Sequence, residues 1–191
     1  DHAIHGFLNQ SDEFVDKIYH REEDINNVSH AITDYLVKSN QLSLPLADQK
    51  ILGSMFYVVN DIERIGDHAE NFADFTKTEI KHNTGLTGDA KEEIKKMYTA
   101  VSRLLKLSLE CFMEQDGVNK PEDKLAEIAI LEASIDKMER RYQKHHIKRL
   151  AKGECEPRAG LLFSDMLSEL ERIADHSVNI AYSMSDEDED E

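Results

Sequence analysis

Two pairs of carboxylates in this chain have the spacing of metal ligands. Glu63 and Asp67 are four residues apart, and so are Glu171 and Asp175. In an α-helix, residues at this spacing lie one turn apart, about 40° from each other around the axis. Crowded carboxylates repel one another unless a cation or protons intervene, and hard metal ions prefer oxygen ligands. Each pair therefore predicts part of a metal site.

Further acids stand one turn apart on the segment that precedes each pair. Glu22 is followed four residues later by Asn26, and Glu132 by Asp136. If neighbouring helices bring these segments together, each half of the chain collects three or four carboxylates. The predicted metal ligands are Glu63, Asp67, Glu171 and Asp175, followed by Glu22, Glu132 and Asp136.

A second set of polar side chains adjoins these acids. His68 and His176 directly follow the second carboxylate of each pair. Consecutive residues of a helix point about 100° apart, so we expect the two histidines to pack or to orient the ligands rather than to coordinate the same ion. The predicted supporting residues are Arg64, Arg172, His68, His176, Asn71 and Asn179.

Internal repetition separates these acids from an ordinary charged surface. Residues 61–73 read DIERIGDHAENFA, and residues 169–181, 108 positions later (169 − 61), read ELERIADHSVNIA, with seven of thirteen positions identical. Because acids make up 39 of 191 residues, a lone Glu-x-x-x-Asp is usually a solvated helix face. Its recurrence inside a repeated segment favours a shared function.

Apolar residues at intervals of three, four and seven predict an all-α protein. We expect helices over residues 11–39, 46–82, 89–115, 121–152 and 157–184, arranged as two pseudo-repeated antiparallel three-helix bundles. Residues 1–84 form the first unit, residues 85–184 the second, and residues 185–191 a disordered tail with six consecutive acids. Residues 1–8 match the last turns of a helix that the first unit otherwise lacks. We therefore expect an apolar groove there and a parent protein that continues upstream.

Composition excludes several classes of function. The net charge is −16, or about −10 without the six acids of the tail (−16 + 6), which is unsuited to nucleic acid. No stretch approaches the ~20 apolar residues of a membrane span. The chain shows no nucleophilic or nucleotide-binding constellation, so we predict no catalytic residue and no enzyme. Residues 137–152 hold seven Lys and Arg side chains, and whether they contact phosphate, a membrane or only solvent is left open.

The repeated segment closely resembles the signature of the PhoU family. In addition, residues 31–37 (AITDYLV) and 146–162 (HIKRLAKGECEPRAGLL) resemble the cytoplasmic C-terminal domain of bacterial Na/Pi cotransporters. The resemblance implies a domain that regulates phosphate uptake, with metal ions such as iron, zinc, magnesium or manganese on the acid pairs. Asn26 stands where the family has an acid, which predicts a weaker or empty first site.

The same resemblance implies a location and partners. The domain would lie at the cytoplasmic side of the inner membrane, with the transporter's membrane domain in the same parent chain as its partner and a homo-oligomer as a further possibility. Two alternatives remain open. One is a di-metal carboxylate helix-bundle enzyme, which needs an enclosed site with an open metal position. The other is a stand-alone phosphate-signalling interaction protein whose carboxylates are merely solvated.

Overall fold

Five α-helices make up most of the part of the chain that the structure describes. The computed structural model describes Ile4, Gly6, Phe7 and residues 12–82, 85–115 and 121–184. The helices are α1 (Val15–Ser39, after a 3-10 turn at Asp12–Phe14), α2 (Leu46–His82), α3 (Gly88–Glu114), α4 (Glu122–Ala151) and α5 (Pro157–Tyr182). The described ranges contain no strand, and the all-α prediction is confirmed. The predicted tail, residues 185–191, lies outside the described residues.

Local residue chemistry sets several helix ends. The Thr87 hydroxyl accepts the backbone N–H of Ala90 at 3.2 Å and so caps the start of α3. Gly153 follows α4 with a φ of +69°, a left-handed conformation that glycine adopts without steric cost. Pro157 is the first residue of α5, where its missing N–H has no helical partner to lose. These signals explain why the predicted boundaries lie close to the observed ones.

Helix α5 lies at the centre of the structure. It packs against α3 and α4 of the second unit and against α2 of the first, while α1 packs against α2. The main core is formed by fully buried apolar side chains of the second unit, including Ile94, Leu104, Ile128, Phe163 and Leu167. Burial of these side chains is the dominant favourable term in folding. The second unit is therefore a closed three-helix bundle.

The first unit is more open. Its own small core consists of Val15, Ile18 and Ala73. An apolar cleft of about 420 Å³ runs beside α2 and is bordered by α2, α3 and α5. Its lining includes Ile65, Ala69, Phe72, Tyr98, Leu105 and Leu109. Among the described helices, none combines the length and apolar character needed to cross a bilayer.

Candidate functional site

Helices α4 and α5 bring five carboxylates together on one surface of the second unit. Burial raises the pKa of Glu171, and the neighbouring acids Asp175, Glu139 and Asp136 raise it further, whereas Arg172 lowers it. We refer to the following residues as the second-unit cluster: Glu132, Asp136, Glu139, Glu171 and Asp175.

The same crowding of acids raises the pKa of two other members of the second-unit cluster. Burial raises the pKa of Glu132, and the charges of Asp136 and Asp175 add to the effect. Desolvation likewise raises the pKa of Asp175, with a further increase from Asp136 and a decrease from His176. Each of the four ligands predicted in this unit thus lies within electrostatic reach of at least two of the others. A cation placed among them would relieve their repulsion.

In the first unit, a group of acids lies further along α2 than the pair Glu63 and Asp67 would suggest. Burial raises the pKa of Glu70, and the nearby carboxylates of Glu22, Asp74 and Asp67 raise it further. We refer to these four residues as the first-unit cluster. Two of its members, Glu22 and Asp67, belong to the predicted ligand set. The cluster lies towards the C-terminal half of α2, beyond Glu63.

The third ligand predicted in the first unit, Glu63, has different neighbours. It lines a cleft of about 390 Å³ between α1 and α2 together with Asn26, Ser29, Thr33 and Asn60. The Asn26 amide donates a hydrogen bond to Glu22, while the Asn26 Oδ1 atom is buried without a hydrogen-bond partner. The lining also includes His30, Phe56 and Val59, and Glu63 is its one acid, where the second unit gathers several acids.

Neither cluster forms a closed coordination cage. In the part of the chain that the structure describes, no three His, Cys, Asp or Glu side chains converge tightly enough to hold an ion as they stand. One acid of the second-unit cluster, Asp136, is engaged by Arg140 at 2.7 Å.

A separate polar cluster joins the two repeated segments, because α2 and α5 run antiparallel past each other. Glu169 accepts hydrogen bonds at its Oε2 atom from His68 Nδ1 and from the Asn71 amide, both at 2.7 Å. Its other oxygen lies 3.6 Å from the Arg172 guanidinium. The carboxylate of one repeat is thus held by the histidine and asparagine of the other.

The reciprocal contacts exchange the roles of the two repeats. Asp61 Oδ1 accepts from His176 Nδ1 at 2.8 Å and faces the Asn179 amide at 3.4 Å. The rings of His68 and His176 stack between the two halves, with centroids 5.5 Å apart and planes at 26°. We call this group the latch; it consists of Asp61, His68, Asn71, Glu169, His176 and Asn179.

Both repeats match one known family. The model of the PhoU domain family aligns with residues 1–76 and 94–184, which include both copies of the repeated segment. The chain belongs to the PhoU domain family.

Individual relatives agree with this assignment. The phosphate-specific transport system accessory protein PhoU homolog of Synechocystis sp. is 28% identical over 175 residues, which cover 88% of this chain and 72% of that protein. The homolog of Clostridium acetobutylicum, with the same description, is 22% identical over 176 residues, covering 91% and 77%.

Two solved structures show the same fold. PhoU from Pseudomonas aeruginosa superimposes with a TM-score of 0.84 at 21% identity, covering 96% of this chain and 85% of that one. The phosphate transport system regulatory protein PhoU from Streptococcus pneumoniae gives a TM-score of 0.81 at 22% identity, covering 96% and 83%. At these identities the likeness establishes the architecture.

Within this PhoU fold, most of the predicted supporting residues contact carboxylates other than the predicted metal ligands. His68, His176, Asn71 and Asn179 contact the latch carboxylates rather than the predicted ligand pairs. Arg64 is exposed. The latch carboxylates themselves, Asp61 and Glu169, were missed from the sequence. Their signal is an acid followed at seven and ten residues by His and Asn, which places all three on one helix face in both repeats.

Two further acids were also missed. Glu139 lies three residues after Asp136, and Glu70 lies three residues after Asp67, so each extends a predicted row by one helical turn. The spacing along the sequence is enough to place both acids on the same helix faces as the predicted ligands. Their membership in the clusters depends on which neighbouring helix each face meets, and spacing does not contain that information.

Part of the basic segment 137–152 is used inside the PhoU fold. His145 and Arg149 both contact the carboxylate of Glu93, at 2.6 and 2.8 Å. The Arg149 guanidinium also lies 5.0 Å from the centre of the Phe163 ring. These contacts join the end of α4 to the start of α3 and to α5, so these two basic side chains have a structural role.

Proposed function

We propose that this PhoU-family chain regulates phosphate uptake and binds metal ions on its carboxylate clusters. The regulatory part is supported by the family match, which spans both repeats. Curated relatives are named as accessory proteins of a phosphate-specific transport system. By analogy, the chain contacts components of such a system at the cytoplasmic face of the membrane. Its role is regulatory rather than catalytic.

The metal-binding part is supported chiefly by the second-unit cluster. Burial and mutual repulsion raise the pKa of three of its five carboxyls, so a cation would relieve an unfavourable concentration of charge. An all-oxygen donor set suits magnesium, manganese or iron, and also accepts zinc. Glu132, Asp136, Glu171 and Asp175 would hold the ion, with Glu139 as an additional ligand. The first-unit cluster would bind more weakly.

There are two candidate arrangements of this domain and the transporter: two separate polypeptides or one polypeptide. The names of the relatives favour an accessory protein that acts on a separate phosphate transporter. The resemblance of residues 31–37 and 146–162 to Na/Pi cotransporters favours a cytosolic domain in the same polypeptide as the membrane part. In that case a preceding helix would complete the first unit by covering the apolar cleft. Immunoblots of the source cells decide between them by polypeptide size and by membrane fractionation.

Phosphate uptake in cells tests the regulatory proposal. In a strain that lacks the gene, we expect radiolabelled phosphate uptake to continue unchecked after transfer from poor to rich medium. The wild-type protein should restore the decrease in uptake, whereas Glu171→Gln/Asp175→Asn should not. Glu122→Gln/Asp123→Asn makes the same charge change at the exposed start of α4 and should behave as wild type. Uptake that is indifferent to the presence of the protein would contradict the proposal.

The metal is identified separately. Elemental analysis of protein purified from its own host without chelators should find a stoichiometric transition metal or magnesium, and the amount should fall in Glu171→Gln/Asp175→Asn. Equal metal content in that variant and in the matched surface control would place the ion elsewhere.

A further inference from the structure

Where α4 turns into α5, the second unit exposes large apolar side chains within a basic segment. Ile147 and Leu161 are 62% and 65% exposed, and Leu150 is 37% exposed. We refer to these three residues and the exposed basic residues beside them as the basic corner: Lys144, Ile147, Lys148, Leu150, Lys152, Arg158 and Leu161. We propose that the basic corner docks the domain onto an anionic lipid surface, with Ile147 and Leu161 inserted among the headgroups. This inference goes beyond the proposed regulation and metal binding and depends on neither.

Contacts between α4 and α5 place the two most exposed of these apolar side chains beside each other. Gln143 of α4 donates a hydrogen bond to Ser164 of α5 at 3.0 Å. Ile147 lies one helical turn after Gln143, and Leu161 lies about one turn before Ser164. Because the two helices are antiparallel, both side chains reach the next level on the same side of the helix pair. They therefore form one apolar patch.

The base of this patch is closely packed. The buried ring of His146 has its centre 5.3 Å from that of Phe163. The same ring lies so close to Gly160 that an added methyl group would overlap it, and Leu150 also approaches Gly160. Since α4 and α5 are already in contact here, a closer approach of the two helices cannot cover the exposed patch.

The charge of this segment is opposite to that of the whole chain. Residues 140–161 hold seven Lys and Arg side chains and two Glu, a net charge of +5 (7 − 2), whereas the chain carries −16. Arg140 and Arg149 are paired with Asp136 and Glu93, which lie outside the segment. Without these two arginines, the segment still carries +3 (5 − 2). Its charge is therefore complementary to an anionic surface.

The acids of the second-unit cluster are too distant to cancel this attraction. Asp136 precedes Ile147 by eleven residues, or about 17 Å along α4, and the Debye length is about 10 Å at 0.1 M salt. Glu154, in the turn after α4, is closer and lies 3.5 Å from Lys152. An anionic surface at the basic corner therefore interacts mainly with the lysines.

The form of the basic corner favours lipid over a protein partner. Side chains exposed by more than three-fifths project outwards, and apolar side chains flanked by lysines enter the boundary between headgroups and acyl chains. Lysine can also lay its carbon stem along the apolar part while its charge stays at the surface. A partner helix, by contrast, is held in a concave apolar groove.

Co-sedimentation of the purified chain with vesicles tests the proposal. At about 0.05 M salt, the protein should bind vesicles of mixed phosphatidylcholine and phosphatidylglycerol at least about tenfold more tightly than vesicles of phosphatidylcholine alone. Ile147→Ser/Leu161→Ser should weaken that binding by about tenfold. Met113→Ser/Ile130→Ser removes two apolar side chains that are 81% and 71% exposed elsewhere and should bind as wild type does.

A second pair of variants tests the charges. Lys144→Gln/Lys148→Gln should weaken binding to the mixed vesicles by about tenfold or more. Lys38→Gln/Lys50→Gln makes the same charge change at exposed positions of α1 and α2 and should have less than about a twofold effect, because these lysines lie outside the basic corner. Circular dichroism establishes that each variant is folded.

The chain has no tryptophan, so a single introduced tryptophan reports the orientation on the vesicle. Emission of Leu161→Trp should shift to the blue on addition of the mixed vesicles and should be quenched by brominated lipid. Met113→Trp, on the exposed surface of α3, should show neither change. Equal blue shifts in both variants would contradict docking through the basic corner.

Wild-type protein that does not bind the mixed vesicles at low salt overturns the proposal, and so does binding that both basic-corner double variants leave unchanged. Binding to polyglutamate without binding to vesicles would overturn the lipid assignment in favour of an acidic protein partner. These measurements need neither metal nor transporter, so their failure would leave the proposed regulation of phosphate uptake to its own test in cells.

Discussion

The two copies of the repeated segment have nearly the same sequence and very different surroundings. On α5, Leu170 and Ser177 are 1% and 0% exposed, because α3 covers that face. Their counterparts on α2, Ile62 and Ala69, are only half-buried, and Ala69 lines the apolar cleft. The same helical pattern is therefore a core element in one unit and a partly open surface in the other. Burial follows from the neighbours of a segment and not from its own periodicity.

The charged faces of the two copies differ as well. The second unit gathers five acids on α4 and α5, whereas Glu63 of the first unit is the one acid among the residues that line its cleft. Asn26 and Ser29 stand where the second unit has Asp136 and Glu139. The two units thus present one strong and one weak candidate cation surface, joined by the latch.

Truncation of matched core residues should give the largest difference between the units. Leu170→Ala removes a fully buried side chain, and we expect the free energy of unfolding to fall by about 2–5 kcal/mol. Ile62→Ala at the equivalent position should cost less than about half as much, because water already reaches that face. Urea denaturation monitored by circular dichroism measures both. Equal losses would mean that α2 is covered in solution.

Removal of a latch carboxylate should have an intermediate effect. Glu169→Ala leaves His68 and Asn71 without their acceptor, and we expect a loss of about 1–3 kcal/mol. Asp61→Ala should cost less, because its contact to Asn179 is 3.4 Å against 2.7 Å for the matching contact of Glu169. The same urea experiment applies. Two variants as stable as wild type would show that the latch does not form in solution.

Neutralising one acid of the second-unit cluster should slightly raise the free energy of unfolding, whereas the substitutions above lower it. Because the folded-state pKa of Glu171 is raised, the folded protein binds its proton more tightly than the unfolded chain does. The resulting stabilisation is fully present at low pH and is lost as the pH rises through the folded-state value. At pH 7, Glu171→Gln should therefore stabilise the protein, by about 0.5 kcal/mol at this partly exposed site.

Two controls sharpen that prediction. The advantage of Glu171→Gln should vanish below about pH 4, where the wild-type carboxyl is protonated in both states. Glu63→Gln at the equivalent position of the first unit should change stability less, because no second acid lines the cleft around Glu63. Thermal melts between pH 3 and pH 8 measure both effects. Stabilisation by Glu171→Gln that is independent of pH would contradict the electrostatic origin.

The helices could be predicted from the sequence because their signals are local. Pro45, Thr87, Gly153 and Pro157 mark ends that the structure reproduces, and the repeat indicates the twofold organisation. The latch could not be predicted in the same way. It depends on the register of α2 against α5, which places Asp61 opposite His176. That register depends on how the apolar faces of the two helices pack together, and spacing along one helix does not determine it.

The candidate site was predictable in part for the same reason. The four predicted ligands of the second unit could be placed on two helix faces, and those faces do meet. In the first unit, Glu63 and Asp67 share a helix face but lie beside different groups of α1. Glu22 and Asn26 are little more than one turn apart on α1. A shift of that length along α1 therefore decides whether the neighbour is an acid or an amide.

Equilibrium dialysis against Mn²⁺, with bound ion counted per chain, tests the central claim that two unequal carboxylate surfaces bind metal. We expect the wild-type protein to bind most tightly at the second-unit cluster. Glu171→Gln/Asp175→Asn should abolish that tight binding, while Glu63→Gln/Asp67→Asn should remove only a weaker component. Binding that is absent in the wild type, or unchanged by both double substitutions, would contradict the account.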